Sequence, residues 1–270
     1  MRLGALLRWL VTGVLLGLLA FVIFGPLLNL VLWAFAEKWY FPYKLPLEYG
    51  FSFWQRVFRP QGHATESLGT SIAIALFTVA MCLAVAIPAG YALARRALPL
   101  RALILLAFLL PQAFPSLAVY INVARIFYSF GLNGTIAGVV LVHTMHGLVF
   151  AVWIATAAFA AVDPELEDAA RSMGAGPLYA FVTVTLPLAA PGILASAIFV
   201  FLESLDEFTG TFFVGVPEVT TLPLLLFTAS MEGNYQIASI TALVLLVPSV
   251  GFMLVIERFL KADVLAKVGS

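Results

Sequence analysis

The stretch Asp163–Pro191, DPELEDAARSMGAGPLYAFVTVTLPLAAP, is a polar, proline- and glycine-punctuated interruption in a chain that is otherwise close to continuous hydrocarbon. Of the 270 residues, 63% are hydrophobic and only 10% charged, which places the protein in a bilayer rather than in water. A spanning helix needs about 20 apolar residues. Working outward from the interruption, 135–159 precedes it and 192–213 and 233–256 follow it, while 9–36, 67–94 and 102–124 supply three earlier spans. The long run Ile126–Val162 is divided by Gly131, Asn133 and Gly134, so its helix begins near Thr135. The expectation is an all-α membrane protein of about six helices, forming one membrane domain over 1–270, with 163–191 between the fourth and fifth helices. Pro26, Pro88, Pro111, Pro115 and Pro248 lie inside apolar runs and predict kinks.

Basic residues favour the cytoplasmic side of short loops. With both termini inside, the inner face holds Arg2, Arg8, Arg95, Arg96, Arg101, Arg171, Arg258, Lys261 and Lys267, nine of the fourteen Lys and Arg residues. The outer face holds Lys38, Lys44, Arg56, Arg59 and Arg125, and the 163–191 segment is cytoplasmic. The first apolar run follows Arg2 and Arg8 as a signal peptide would, but it is much longer than such an apolar core and reads as a retained helix. The outer loop, 37–66, carries Trp39, Tyr40, Phe41, Tyr43, Tyr49, Phe51, Phe53, Trp54 and Phe58. Those rings serve either as an interfacial belt or as a docking surface for an extracytoplasmic protein.

The formal net charge is zero and no basic patch exists beyond the topogenic residues, so no nucleic-acid role is expected. Cys82 is the only cysteine, which excludes a disulfide framework and a thiolate metal site. No catalytic set and no metal site can be assembled. His143 and His146, one turn apart, read as a proton or metal relay or as packing polar groups.

Within the interruption, Asp163 is a suitable N-cap, Pro164 suits the first helical position, and Glu165, Glu167 and Asp168 favour the positive end of a helix dipole. Leu166, Ala169, Ala170 and Met173 fall at i, i+3, i+4 and i+7, one narrow apolar stripe ending at Gly174. Pro177 opens a second short helix with Leu178 and Phe181, and Pro187 and Pro191 are expected to separate it from the next span. On spacing alone the segment either meets a soluble partner or lies on the lipid surface.

The segment resembles the cytoplasmic signature of permease subunits of bacterial ABC importers of the type I fold: Glu-Ala-Ala, three residues, Gly, nine residues, Ile-x-Leu-Pro. Here it reads Asp168-Ala169-Ala170, Gly174 and Val184-Thr185-Leu186-Pro187, with every interval kept and with Asp for Glu and Val for Ile. The resemblance covers roughly Ser67 to Leu260. It implies a multi-pass inner-membrane protein whose 163–191 segment forms coupling helices seated in an ATPase subunit, with Leu166, Asp168, Ala169, Ala170, Met173, Gly174, Leu186 and Pro187 at the contact. It further implies a pair of ATPase subunits carrying ATP and Mg, a second permease subunit, identical or homologous, and a periplasmic binding protein. The chain has no G-x-x-x-x-G-K-[ST], in keeping with ATP, the cofactor, binding a separate chain.

Glu203, Asp206 and Glu207 share one face of the fifth helix at i, i+3 and i+4. Three charges facing lipid at the bilayer centre would cost roughly 7–10 kcal/mol, so they should face a wet pathway or a partner. Ser204-Leu205-Asp206-Glu207-Phe208, followed by Thr221-Leu222-Pro223, looks like the spermidine/putrescine permease subfamily, which implies a polyamine substrate guided by the three acids. A structural or gating role, for instance pairing with Arg125, is the rival. Aminophosphonate, iron(III) and thiamine importers lie in the same wider neighbourhood, and a self-sufficient secondary transporter or channel is the competing class.

Overall fold

The computed structural model describes residues 2–268, with side chains described for 8–254. The side chains of Arg2, Arg258, Lys261 and Lys267, used above for orientation, lie outside the latter range. The elements run α1 (Arg2–Ala34), β1 (Ala36–Lys38), β2 (Glu48–Tyr49), α2 (Ser52–Phe58), α3 (Ala64–Arg95), α4 (Arg101–Ala113), α5 (Ser116–Ser129) and α6 (Ile136–Ala160). They continue as α7 (Pro164–Ser172), α8 (Pro177–Ala180), a π turn (Phe181–Thr185), α9 (Leu186–Asp206), α10 (Thr209–Val214), α11 (Leu222–Met231) and α12 (Tyr235–Val268). Among the described residues five helices are long and apolar enough to cross a membrane, or six if one bent pair counts as a span. The fold is all-α apart from the two-stranded ribbon β1–β2.

Beside the single domain expected, contacts divide the chain into two compact units, 1–65 with 225–246 and 66–224 with 247–270. In the first, Ala34, Val57, Ala64 and Ile240 form a core against which Phe35, Phe53 and Trp54 pack. Rings of the 37–66 loop pack on the end of α1 and the residue after it: Trp33 stacks on Trp39 at 4.2 Å, and Phe35 lies edge-on to Phe51 at 5.4 Å. Glu37 holds the loop by accepting from the Ser52 backbone N–H at 2.7 Å and from the Ser52 hydroxyl. Those bonds to Ser52 hold the Glu37 carboxyl below its ordinary pKa.

In the second unit α6 is apolar on every side and more than half of its membrane-length window is buried, so it is the central helix. α3 and α9 pack on it through glycine. A Cβ on Gly90 would lie 2.9 Å from Ala155 Cβ, and one on Gly192 would collide with Ala158 Cβ. Gly192→Leu is therefore expected to destabilise the protein by about 1–3 kcal/mol through overpacking, read as a lowered unfolding temperature in detergent.

Three expectations are corrected here. The helix expected at 102–124 is two, α4 and α5, bent by 94° at Phe114–Pro115. Pro115 lacks an N–H and disfavours helical backbone at Phe114, which is extended (φ −108°, ψ 151°). The helix expected at 192–213 stops at Asp206, because Glu207 turns extended before α10 begins. Pro187 and Pro191, expected to separate the second short helix from this span, do not: helix continues from Pro177 to Asp206. The π turn relaxes the ladder just ahead of Pro187, with the Leu186 N–H reaching back to the Phe181 carbonyl, and Pro187 then falls in the first turn of α9 where no donor is needed.

Candidate functional site

Two constellations lie at separate places in the second unit. The first is the 163–191 segment. The Asp163 side chain accepts from the Glu165 N–H at 3.0 Å and so caps α7, with Pro164 in the first turn. Asp163→Ala is expected to cost about 1 kcal/mol of stability, measurable by hydrogen exchange over α7. The helix ends at Met173, and Gly174 takes the left-handed conformation (φ +94°) that a side chain resists. The Ala175 N–H then bonds Ala170 O and the Gly174 N–H bonds Arg171 O, a Schellman closure.

Leu166, Asp168, Ala169, Met173 and Gly174 are exposed, Met173 by 84%, whereas Ala170 is half-buried. Leu186 is half-buried and Pro187 exposed. Leu178 and Tyr179 of α8 extend the exposed apolar surface. The other side of α7 is fastened down. Glu167, 7% exposed, accepts from the Tyr91 hydroxyl of α3 at 2.6 Å and from the Thr185 hydroxyl of the π turn at 2.7 Å. Arg95 donates to the Val162 carbonyl at 2.8 Å. Burial opposes the Glu167 carboxylate, but the bonds from Tyr91 and Thr185 and the charges of Arg95 and Arg171 outweigh it and hold the pKa below the ordinary value. Its stabilisation of the fold is thus present above the ordinary carboxylate range and is lost as pH falls through the lowered value. Beside it a cavity of about 830 Å³ opens, walled by Arg95, Arg96, Asp168 and Arg171 among apolar side chains.

The second constellation gathers polar groups from five elements. His143 of α6 is buried, its Nδ1 2.8 Å from Ser204 Oγ and its Nε2 2.9 Å from Thr211 Oγ1. This matches its reading as a packing polar group. His146, one turn on, meets more: Nε2 lies 3.0 Å from Gln112 Nε2 and 3.2 Å from Glu203 Oε1, and Nδ1 lies 3.3 Å from the Tyr120 hydroxyl. Tyr120 also bonds Glu207, and the Glu207 carboxylate accepts from the Gly210 N–H at 3.1 Å. The three acids therefore do not share one helical face. Glu203 stays on α9, Asp206 is exposed at its last residue, and Glu207 lies beyond it with its carboxylate bonded to the Gly210 N–H of α10. The 94° elbow carries Gln112 on one arm and Tyr120 on the other, and both converge on His146. Sequence reading missed Gln112 and Tyr120 altogether, and it missed the link between His146 and the acids, since these residues are separated by up to 95 positions. Among the described residues no group of His, Cys, Asp and Glu is arranged to hold a metal ion.

Residues 86–262 match the family described as the binding-protein-dependent transport system inner membrane component. The chain belongs to this family. It is accordingly a multi-pass inner-membrane permease component, a subunit of a transporter. It is similar to the trehalose transport system permease protein SugB of Mycobacterium tuberculosis, 31% identical over 199 residues that cover 72% of this chain and 73% of that one. It is also similar to a Salmonella typhimurium permease protein named for 2-aminoethylphosphonate transport, 27% identical over 202 residues, 74% of this chain and 76% of the other. Among solved structures, a chain of a bacterial ABC transporter involved in import of the acidic polysaccharide alginate superposes with a TM-score of 0.71 at 17% identity, covering 94% of this chain and 97% of that one. That likeness shows the ABC permease fold.

Proposed function

We propose that this permease component is the membrane-spanning subunit of an ATP-driven importer, with its 163–191 segment as the coupling helices. One observation carries the reading: α7 is anchored through Glu167 on one side while Leu166, Ala169 and Met173 stand free on the other. A helix lying on lipid for its own sake needs no buried carboxylate tying it to two other helices. The face is offered to an ATPase subunit, one of a pair that bind ATP and Mg. The chain works with a second permease subunit, identical or homologous, and receives solute from a periplasmic binding protein, with both of its termini cytoplasmic.

Glu203, Glu207, Gln112 and His146 form the solute-facing cluster, backed by the buried Tyr120, with Asp206 at its mouth. Such a set of carboxylates, amide, phenol and imidazole suits a small solute rich in hydroxyl or amino groups. The relatives named for trehalose and 2-aminoethylphosphonate widen the cargo beyond the polyamine expected from the acids, which becomes the cationic extreme of this class. Binding of trehalose, 2-aminoethylphosphonate and spermidine to the partner binding protein, followed by ATP-dependent uptake into proteoliposomes holding the whole complex, tests the reading. ATP-dependent uptake of one of them is expected. Ion-driven flux through the purified chain alone would establish a secondary transporter instead.

A further inference from the structure

Glu167 has no place in the exposed docking face, yet it is the carboxylate of α7 on which most hydrogen bonds converge. Its two oxygens are used separately, Oε1 by Tyr91 near the end of α3 and Oε2 by Thr185 at the foot of α9. Arg95, one turn after Tyr91, grips the Val162 carbonyl just before α7, so the short helix is held at its entry and at its middle. The ring of Tyr91 is itself wedged edge-on between Phe159 of α6 at 5.7 Å and Phe181 of the π turn at 4.8 Å. Thr185 closes that π turn, the one wide turn in the otherwise continuous helix from Pro177 to Asp206. A π turn has a looser ladder than the helix on either side, and such turns occur preferentially where function needs them. Beyond it, the run from Thr185 to Glu203 is about 27 Å of unbroken helix leading to the polar cluster around His146.

We propose that Glu167 is the positioning residue through which movement of α7 becomes movement of α9: bonded to Tyr91 and Thr185, it converts a push on the docking face into displacement of the helix that carries Glu203. This rests on the importer reading above and adds the residue that transmits force within this chain. Two features set the joint apart from ordinary packing. A buried carboxylate is costly unless its partners are kept, so it favours a small number of discrete arrangements over gradual slippage. The joint also sits beside the only non-α turn of the lever it moves, where backbone geometry can yield without breaking the helix.

The test uses the complete complex with its ATPase, on a Cys82→Ala background, with spin labels at Leu117→Cys on α5 and Phe199→Cys on α9. In the otherwise unaltered complex, hydrolysis of ATP followed by trapping of the ADP with vanadate is expected to shift the distance between the labels. Glu167→Ala should abolish the shift while the ATPase stays bound and continues to hydrolyse ATP. Tyr91→Phe, which removes one oxygen and keeps the ring, should reduce the shifted population about tenfold, within the usual span of coupling energies. The double variant should be no worse than Glu167→Ala alone, because both act on one joint. Glu167→Gln, which keeps one acceptor oxygen, should restore part of the shift. A full shift in Tyr91→Phe and Glu167→Ala with the ATPase bound would overturn the proposal, and if Glu167→Ala fails to assemble, Tyr91→Phe decides alone. Failure of the otherwise unaltered chain to bind any ATPase would defeat the importer reading itself, an outcome visible before any joint variant is made.

Discussion

Ala169→Asp is expected to separate the permease from its ATPase. Ala169 is exposed on α7 between Leu166 and Met173, and no other described residue covers it. On the importer reading proposed above, the partner closes over this face, so the new carboxylate would be buried without a counter-charge. Stranding such a charge costs about 3–5 kcal/mol, which corresponds to a loss of affinity of roughly 10²-fold to several thousand-fold. Co-purification of the two subunits from detergent should fail, and uptake should fall with it, while the isolated permease keeps its helicity and unfolding temperature. The control is Ser172→Asp, on the same helix, whose hydroxyl bonds the Asp168 carbonyl and which adds a charge outside the apolar stripe. Equal co-purification of Ala169→Asp and the unaltered chain would remove α7 as the docking element.

The second large effect concerns the solute. Glu203→Gln and Glu207→Gln together should depress uptake by about 10²-fold or more, since a hydrogen bond involving a charged group is worth about 1.5–3 kcal/mol and two are lost. Asp206→Asn alone should change uptake by less than about threefold, because this side chain is exposed and joins neither His146 nor Gly210 in the way its neighbours do. Had the three acids formed one face of a continuous helix, the three substitutions would be equivalent. Their inequality, measured as initial uptake rates in proteoliposomes at fixed ATP, reports the break after Asp206. Equal losses at all three positions would show that the helix is regained in the assembled transporter. Binding-protein-stimulated ATP hydrolysis should persist in the double variant, which distinguishes a lost solute contact from a lost motor contact.

What was legible in the sequence was whatever depends on nearest neighbours. Asp163, Pro164 and Gly174 act within a turn or two of their own position, and each does what its chemistry dictates. Charge-free runs of spanning length likewise announce helices, because hydrocarbon demands that each segment satisfy its own backbone. The errors arose where one local rule met another. Pro187 looked like a stop until the π turn ahead of it made a proline tolerable, whereas Pro115, with Phe114 already extended, did break its helix. Reading Glu203, Asp206 and Glu207 as one face assumes helical geometry through Glu207, whereas Glu207 is extended and bonds the Gly210 N–H. Contacts set by tertiary packing were out of reach. Nothing in the spacing of Tyr91, Glu167 and Thr185, or of Gln112, Tyr120 and His146, marks them as neighbours.

The elbow at Phe114–Pro115 carries a consequence for the membrane around it. α4 has 13 residues and α5 has 14, about 20 Å of helix each, so neither arm alone crosses a hydrocarbon core of about 30 Å. Where α4 stops, its last four carbonyls have no partners within the helix, and oil offers none. Hydrocarbon must give way there to water, to a second subunit or to the cargo itself. A fracture in the helix thus marks a place, beside Gln112, where something other than lipid has to meet the backbone.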